Sequence, residues 1–138
     1  MLNIDRHVGK ASYLQVIDGI TQLIASGALE ADEKLPSVRS LALDLSINPN
    51  TIQKAYTQLD ASGVTYSVTG VGSFVAPDAV ERIRAQGRAQ LDALAATLRE
   101  LALTQVDEEA VHEVVRQVWK SARENEQSQT PQKGDGSR

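Results

Sequence analysis

The sequence has no cysteine among its 138 residues, so it can form neither a disulfide framework nor a thiolate metal site. This absence suits a reducing compartment, and we expect the protein to act in the cytoplasm. The chain also lacks an apolar run of membrane-spanning length. Its first ten residues, MLNIDRHVGK, lack the apolar core of a signal peptide. The sequence therefore predicts neither a membrane association nor export.

Side chains suited to catalysis or metal binding are also sparse. The two histidines, His7 and His112, are isolated, and neither a Ser–His–acid arrangement nor an HExxH spacing is present. Glu108, Glu109 and Glu113 cluster near the start of a predicted helix, where acidic residues ordinarily compensate the helix dipole and contact solvent. We therefore expect no catalytic residue, no metal site and no cofactor.

Basic residues are in the minority. The formal net charge is −4 at pH 7, which argues against a general binder of polyanions. Residues 1–76 hold five basic side chains against seven acidic ones. If this part binds nucleic acid, it must rely on amides, hydroxyls and helix N-termini as well as on charge.

Turn signals and composition divide the chain into three parts. Its length and its 41% content of apolar residues allow one modest core. We predict that residues 1–76 form one domain and that residues 77–125 are helical almost throughout. Residues 126–138 are polar and contain glycine and proline, so they are predicted to be a disordered tail.

Apolar residues recur at helical spacing in three segments of the first part. The first predicted helix begins at a capping box formed by Ser12 and Gln15, and Gly27 ends it. The second helix is short and has Ser37 as its cap. The third helix begins at Asn48, a preferred N-cap residue.

A hairpin follows the third helix. Residues 64–68 alternate between apolar and polar side chains, which predicts a strand, and Thr69–Ser73 reads as a turn. Phe74 and Val75 are predicted to form the return strand. Three helices followed by a glycine-containing hairpin predict a mainly α protein with an N-terminal winged helix-turn-helix, whose third helix would enter the DNA major groove.

The predicted outward face of the third helix carries amides and hydroxyls instead of the Glu–Lys pairs typical of a solvated face. Such side chains both donate and accept hydrogen bonds, as reading of base edges requires. However, short polar residues near a helix start also serve as caps, and Arg39 on the second helix can be simply solvated, so both readings stay open here. The candidate readers on this face are Asn50, Thr51, Gln53, Lys54 and Thr57.

Residues 13–76 resemble the DNA-binding domain of the GntR family of bacterial transcription regulators. The run NPNTIQKAY is similar in particular to the YtrA-like subfamily. The residues that carry the resemblance are Leu35, Pro36, Ser37, Arg39, Leu41, Ala42, Thr51, Ala55, Leu59, Gly63, Gly70, Gly72, Phe74 and Val75.

The resemblance implies that Arg39 and the start of the third helix contact bases and phosphates, and that the wing glycines approach the minor groove. Two residues depart from the family pattern. Asp32 stands where the family usually has glycine, and the wing region YSVTGVGSF lacks the usual Lys or Arg. With the two caps included, the candidate DNA-binding residues are Ser37, Arg39, Asn48, Asn50, Thr51, Gln53, Lys54, Thr57, Gly70 and Gly72.

Two further helices are predicted after residue 77, each with one apolar stripe. Two helices can cover each other only in part, so we predict an antiparallel hairpin that pairs with its twin in a symmetric dimer. The resemblance to YtrA-like regulators implies the same short dimerisation tail. The candidate dimerisation residues are Leu91, Leu94, Leu98, Val115 and Trp119.

These patterns together predict a homodimeric, sequence-specific repressor that binds a palindromic operator in double-stranded DNA. The subfamily resemblance suggests transporter genes as targets, while an effector molecule cannot be predicted. The alternative is a winged helix that serves as a protein-interaction module without DNA binding. Such a module should expose apolar or aromatic anchors on its third helix, and this face has none.

Overall fold

The structure is a computed structural model that describes residues 2–5 and 9–129. Within these ranges the predicted class is confirmed, because five helices and an antiparallel two-stranded hairpin are present. None of these helices is long and apolar enough to cross a membrane. The elements are α1 (Ser12–Ala25), α2 (Val38–Leu45), α3 (Pro49–Ala61), β1 (Thr65–Val68), β2 (Gly72–Val75), α4 (Ala79–Leu103) and α5 (Glu108–Gln129).

The chain forms two compact units, one of residues 2–88 and one that begins at Ala89. The core of the first unit is built mainly from aliphatic side chains of α1, α2, α3, the hairpin and the residues that lead into α2 and β1. Full burial of one such side chain stabilises a fold by about 1.5–3 kcal/mol, so this cluster is the main source of stability. Its members include Val16, Ile20, Ile24, Leu35, Leu41, Ile52, Leu59, Val64 and Val75.

The start of α1 differs from the prediction. Ser12 is the first helical residue, Ala11 is the N-cap, and no side chain caps the helix. The Gln15 amide instead donates to the carbonyl oxygens of Asp5, at 2.7 Å, and Lys10, at 2.9 Å. Its Oε1 accepts the backbone N–H of Asp5 at 2.8 Å. The predicted capping box is therefore wrong, because the Gln15 side chain holds the segment that precedes the helix.

The connection between α2 and α3 follows the prediction. Ser37 caps α2, and the side-chain oxygen of Asn48 accepts the backbone N–H of Asn50 at 2.8 Å. Pro49 occupies the first turn of α3, where a missing N–H leaves no hydrogen bond unmade. Between the helices Ser46 adopts a left-handed conformation with φ of 55°, which turns the chain sharply.

The hairpin is longer on its return strand than predicted. Tyr66 pairs with Phe74, and Val68 pairs with Gly72, so β2 begins at Gly72 and the turn comprises only residues 69–71. The rings of Tyr66 and Phe74 stack with centroids 5.5 Å apart. Gly70 adopts φ of 75°, a conformation that such tight turns require and that glycine reaches without strain.

The segment before α2 adds a third, unpredicted edge to this hairpin. Lys34 forms an antiparallel bridge with Phe74. The N–H of Leu35 donates to the carbonyl oxygen of Ser73 at 2.8 Å. The wing therefore includes residues that lie far from it in the sequence.

Asp32 begins this edge in a left-handed conformation with φ of 62°. This conformation explains why the resemblance places a glycine here, and aspartate tolerates it better than most residues. The Asp32 carboxylate also accepts a hydrogen bond from the Tyr66 hydroxyl at 2.9 Å. Asp32 thus adopts the backbone conformation that a glycine would have here, and its side chain adds a contact with β1.

The first unit continues beyond the boundary predicted at residue 76. Ala79 is only 2% exposed, and Val80 and Ile83 pack against the same core. These side chains extend the unit through the first turns of α4, as far as Arg88. A fragment that ends at residue 76 would therefore leave part of this core uncovered.

In the second unit α5 begins at Glu108. The carboxylate of Asp107 accepts the N–H of Glu109 at 3.2 Å, which caps the helix. The helix continues to Gln129, so residues 126–129 of the predicted tail are helical. The remainder of that tail lies outside the described residues.

Candidate nucleic-acid interface

Helix α3 presents a polar face to solvent beside its buried one. Ile52, Ala55 and Leu59 point into the core. Most side chains of the opposite face are exposed, and Thr51 is half-buried. This face begins at the first turn of the helix and carries all five predicted readers, Asn50, Thr51, Gln53, Lys54 and Thr57.

The amides of this face are available to a ligand. The Gln53 amide donates to the Thr57 hydroxyl at 3.3 Å, which leaves the Gln53 carbonyl oxygen without a partner in the described part of the chain. The Asn50 side chain makes no hydrogen bond to any described residue and is exposed. Asn and Gln amides can form paired hydrogen bonds with the major-groove edge of adenine.

Lys54 does not extend freely into solvent. Its Nζ lies 3.8 Å from the centroid of the Tyr13 ring, so the ammonium is held over the start of α1. A cation–π contact at an exposed site contributes about 0.5–1 kcal/mol. The contact covers one side of the ammonium and leaves its other donors for an anion.

Helix α2, which packs against α3, carries an exposed cation. Arg39 lies in its first turn and has no ion-pair partner among the residues that the structure describes. The Ser37 oxygen accepts the N–H of Ser40 at 3.0 Å, so its cap role is confirmed, while its hydroxyl proton can still be donated. The Asn48 cap likewise uses only its oxygen and leaves its amide donors exposed.

A buried tyrosine fixes α2 relative to α3. The hydroxyl of Tyr56, on α3, donates to the carbonyl oxygen of Pro36 at 2.7 Å. Tyr56 is 3% exposed, and burial raises the pKa of its hydroxyl well above the ordinary value. The hydroxyl therefore stays protonated as a donor, and it holds the segment that leads to Arg39 against α3.

The tip of the wing is small and uncharged. A methyl group placed at Gly70 would meet no described atom within 4 Å beyond its two chain neighbours, so the backbone is open to a close approach. Val71 is 54% exposed at the turn. Both predicted wing glycines adopt positive φ, 75° at Gly70 and 145° at Gly72.

Lys34 is a functional candidate that the sequence analysis missed. A methyl group placed at Gly72 would lie 2.9 Å from Cε and 3.7 Å from Nζ of Lys34. The side chain of Lys34 therefore lies across the wing, although the residue belongs to the segment before α2. The signal in the sequence is its position directly before the apolar Leu35, which is 2% exposed and anchors the third edge of the hairpin.

In the second unit the five dimerisation candidates, Leu91, Leu94, Leu98, Val115 and Trp119, are all exposed. Near the connection of α4 and α5 lies an apolar groove of about 320 Å³. It is lined by Leu98, Leu101, Ala102, Val106, Val111, Glu108 and His112.

The acidic cluster of α5 is used within the helix. Arg116 forms ion pairs with Glu109 and Glu113. Hydrogen bonds from Gln117 and from Arg116 lower the pKa of the Glu113 carboxyl. Within residues 2–5 and 9–129 no group of three or more His, Cys, Asp or Glu side chains could hold a metal ion.

The arrangement of α1 to α3 and the hairpin defines a winged helix-turn-helix protein, with an exposed polar face on α3 and a hairpin that contains two glycines. Residues 12–75 match the family model described as bacterial regulatory proteins, gntR family. The chain is 35% identical over 79 residues to the HTH-type transcriptional repressor YtrA of Bacillus subtilis (strain 168), and this alignment covers 57% of the chain and 61% of the relative.

Solved structures show the same likeness. YtrA from Sulfolobus acidocaldarius, a GntR-family transcription factor, aligns with a TM-score of 0.58 and 33% identity over 69% of this chain and 97% of that one. The AraR DNA-binding domain in complex with operator ORX1 aligns with a TM-score of 0.50 and 31% identity, over 54% and 94% of the two chains. The chain belongs to the GntR family, and it is a DNA-binding transcription regulator and not an enzyme.

Proposed function

We propose that the protein is a homodimeric repressor whose two winged helix-turn-helix units each read one half of a palindromic operator. The observation that carries this proposal is the exposed face of α3, with Asn50 and Gln53 available for hydrogen bonding, together with Arg39 on the adjoining α2, which has no ion pair among the described residues. The AraR domain solved on its operator has a similar fold, and YtrA of Bacillus subtilis carries the name of a repressor.

Sequence reading is assigned to three side chains. The Arg39 guanidinium can donate two hydrogen bonds to the O6 and N7 atoms of one guanine. Asn50 and Gln53 can pair with adenine in the same way, and both lie in the first two turns of α3. Thr51 and Thr57 flank them and can donate to or accept from a base edge.

Positioning on the duplex is assigned to donors that carry little net charge. The free amide protons of Asn48 and the hydroxyl of Ser37 lie at the N-termini of α3 and α2, where the helix dipole also favours a phosphate. Lys54 supplies a charge beside them. The wing would approach the minor groove at Gly70, because the backbone of Gly70 is not shielded by neighbouring atoms.

Dimerisation is assigned to residues from Leu91 onward, within the predicted region 77–125. Leu91 and Leu94 on α4 and Trp119 on α5 are 62%, 47% and 61% exposed, more apolar surface than a solvated helix pair needs. A second copy of the same hairpin would cover these side chains in a two-fold symmetric contact. That symmetry would present two α3 helices to successive major grooves, about 34–36 Å apart.

The resemblance to YtrA-like regulators suggests transporter genes as targets, and we place the protein in the cytoplasm. The alternative of a protein-interaction module has less support. In the described structure the outward face of α3 exposes no large apolar side chain, and the exposed Leu43 of α2 is a single residue.

A mobility-shift assay tests the proposal with DNA from immediately upstream of the protein's own operon and with a scrambled duplex of the same composition. The intact protein should retard the upstream fragment selectively, and Arg39→Ala should reduce this selectivity. Lys10→Ala is the matched control, because Lys10 is also basic but pairs with Asp18 on α1. Equal retardation of both duplexes by the intact protein would contradict sequence-specific binding.

A further inference from the structure

The turn of the wing contains no charged residue, yet a cation lies beside it. Residues 69–71 are Thr, Gly and Val. Lys34, from the segment before α2, crosses the hairpin at Gly72, the first residue of β2. The charge of the wing therefore comes from a different part of the chain.

Strand pairing sets the direction of the Lys34 side chain. Lys34 and Tyr66 both pair with Phe74, so the three side chains share one face of the hairpin. Gly72 precedes Phe74 by two residues and lies on the same face. Since Gly72 has no side chain, the Lys34 stem occupies the space above it, and its Nζ lies 3.7 Å from the position of a Gly72 methyl group.

The ammonium of Lys34 is not neutralised by its acidic neighbours. Asp32 accepts the Tyr66 hydroxyl at 2.9 Å, and the Glu33 carboxylate accepts the backbone N–H of Glu30 at 2.8 Å. Neither carboxylate forms an ion pair with Lys34, which has no such partner anywhere in the described ranges. The cation is exposed and remains free to bind an anion.

We propose that Lys34 is the cation of the wing and that its ammonium binds a DNA phosphate where the hairpin meets the duplex. In this assignment the missing side chain of Gly72 leaves room for the lysine stem. Only Gly70 then allows the protein backbone of the wing to approach the DNA closely. A phosphate contact positions the wing and adds affinity on any sequence, but it carries no base information. The inference rests on the proposed function, because it requires that the winged unit bind DNA.

The test is Lys34→Met in the full-length chain, because methionine keeps an unbranched stem over Gly72 and removes the charge. Affinity for the operator and for a random duplex should fall by the same factor. The slope of log affinity against log salt should become shallower by about 1 for each subunit. Ethylation interference should lose one phosphate signal per half-site, and Lys34→Arg should restore it.

Two further variants sharpen the result. Lys10→Met removes a charge that pairs with Asp18, so it should leave the salt slope and the interference pattern unchanged. Gly72→Ala places a methyl group 2.9 Å from Cε of Lys34 and should displace the side chain. The Gly72→Ala protein, once its folding is verified by urea denaturation, should lose the same phosphate signal. The double variant Gly72→Ala/Lys34→Met should then lose no further affinity for DNA and no further phosphate signal.

The outcomes separate this inference from the function on which it rests. If the intact protein binds the operator but Lys34→Met keeps the native slope and interference pattern, the assignment of Lys34 is wrong while the proposed function stands. If the intact protein binds no duplex, both are overturned. A loss confined to the operator would show that Lys34 reads a base and would also contradict the assignment.

Discussion

Changing Val71 to lysine tests how lightly charged the contact with DNA is. Among residues 2–5 and 9–76 few cations are available for phosphates, because Lys10 pairs with Asp18. Arg39 and Lys34 have no ion pair in the described structure, and Lys54 is held over a tyrosine ring. Val71 is 54% exposed at the turn, so a lysine there should reach the phosphate backbone of the DNA without disturbing the protein core.

The magnitude follows from this inventory. If roughly two or three cations of each subunit neutralise phosphates, the slope of log affinity against log salt for the dimer should lie between about −3.6 and −5.4, since each phosphate contributes about −0.9. A slope of about −5 corresponds to a roughly thousandfold loss of affinity between about 50 and about 200 mM salt. Val71→Lys should steepen the slope by up to about 0.9 per subunit.

The assay is fluorescence anisotropy with a labelled operator and a labelled random duplex over a series of salt concentrations. Val71→Lys should raise affinity for both duplexes together, so specificity should stay unchanged or decrease. Val71→Gln, which adds polarity without charge, is the matched control and should keep the native slope. A native slope as steep as about −8, or no response to Val71→Lys, would contradict the prediction that a wing with few charges lies near the DNA backbone.

Three further predictions concern other parts of the molecule. Arg39→Ala should cost about 1–3 kcal/mol on the operator and relax the preference at one base position, and equal losses on random DNA would show that Arg39 contacts a phosphate instead. Replacing Leu94 and Leu98 together by aspartate should convert a dimer into a monomer in sedimentation experiments and weaken operator binding, whereas a variant that remains dimeric would contradict the assigned interface. The hydrogen bond to Asp32 raises the pKa of Tyr66 above its ordinary value of 10.0. The contribution of this hydrogen bond to stability should therefore be fully present below pH 10.0 and lost as the pH rises through the raised pKa. Urea denaturation of Tyr66→Phe should not show this loss of stability at high pH.

Local chemistry explains which features of the fold were predictable. The caps at Ser37 and Asn48 are confirmed because each requires only a short polar side chain and a backbone N–H two or three residues further on. The position of Pro49 and the inward spacing of α3 follow from the same short-range rules. These features determine which face of α3 is exposed, so the candidate residues on α3 could be named from the sequence.

Contacts between distant segments were not predictable in this way. Gln15 satisfies the pattern of a capping box, yet it bonds to Asp5, ten residues away, because the incoming segment lies along α1. The bridge between Lys34 and Phe74 joins residues on either side of two helices. No local periodicity indicates such pairing, and for this reason the sequence did not reveal that Lys34 lies against the wing.

The end of α5 shows another limit of prediction from the sequence. The tail was predicted to begin at residue 126 because the last residues are polar, but the helix continues to Gln129. Polarity alone does not end a helix when the residues are good helix formers such as glutamate and glutamine. The breakers, Pro131 and the final glycines, come later in the sequence.

Selection of bound duplexes from a random library, followed by sequencing, tests the central claim most directly. If two copies of α3 read the two halves of an operator, the enriched sequences should contain two inverted half-sites whose centres lie about 10–10.5 base pairs, or a multiple of that spacing, apart. Selection with Arg39→Ala should lose information at one position in each half-site. Enrichment of no sequence, or of a single half-site without its inverted copy, would contradict a symmetric dimer that reads DNA through α3.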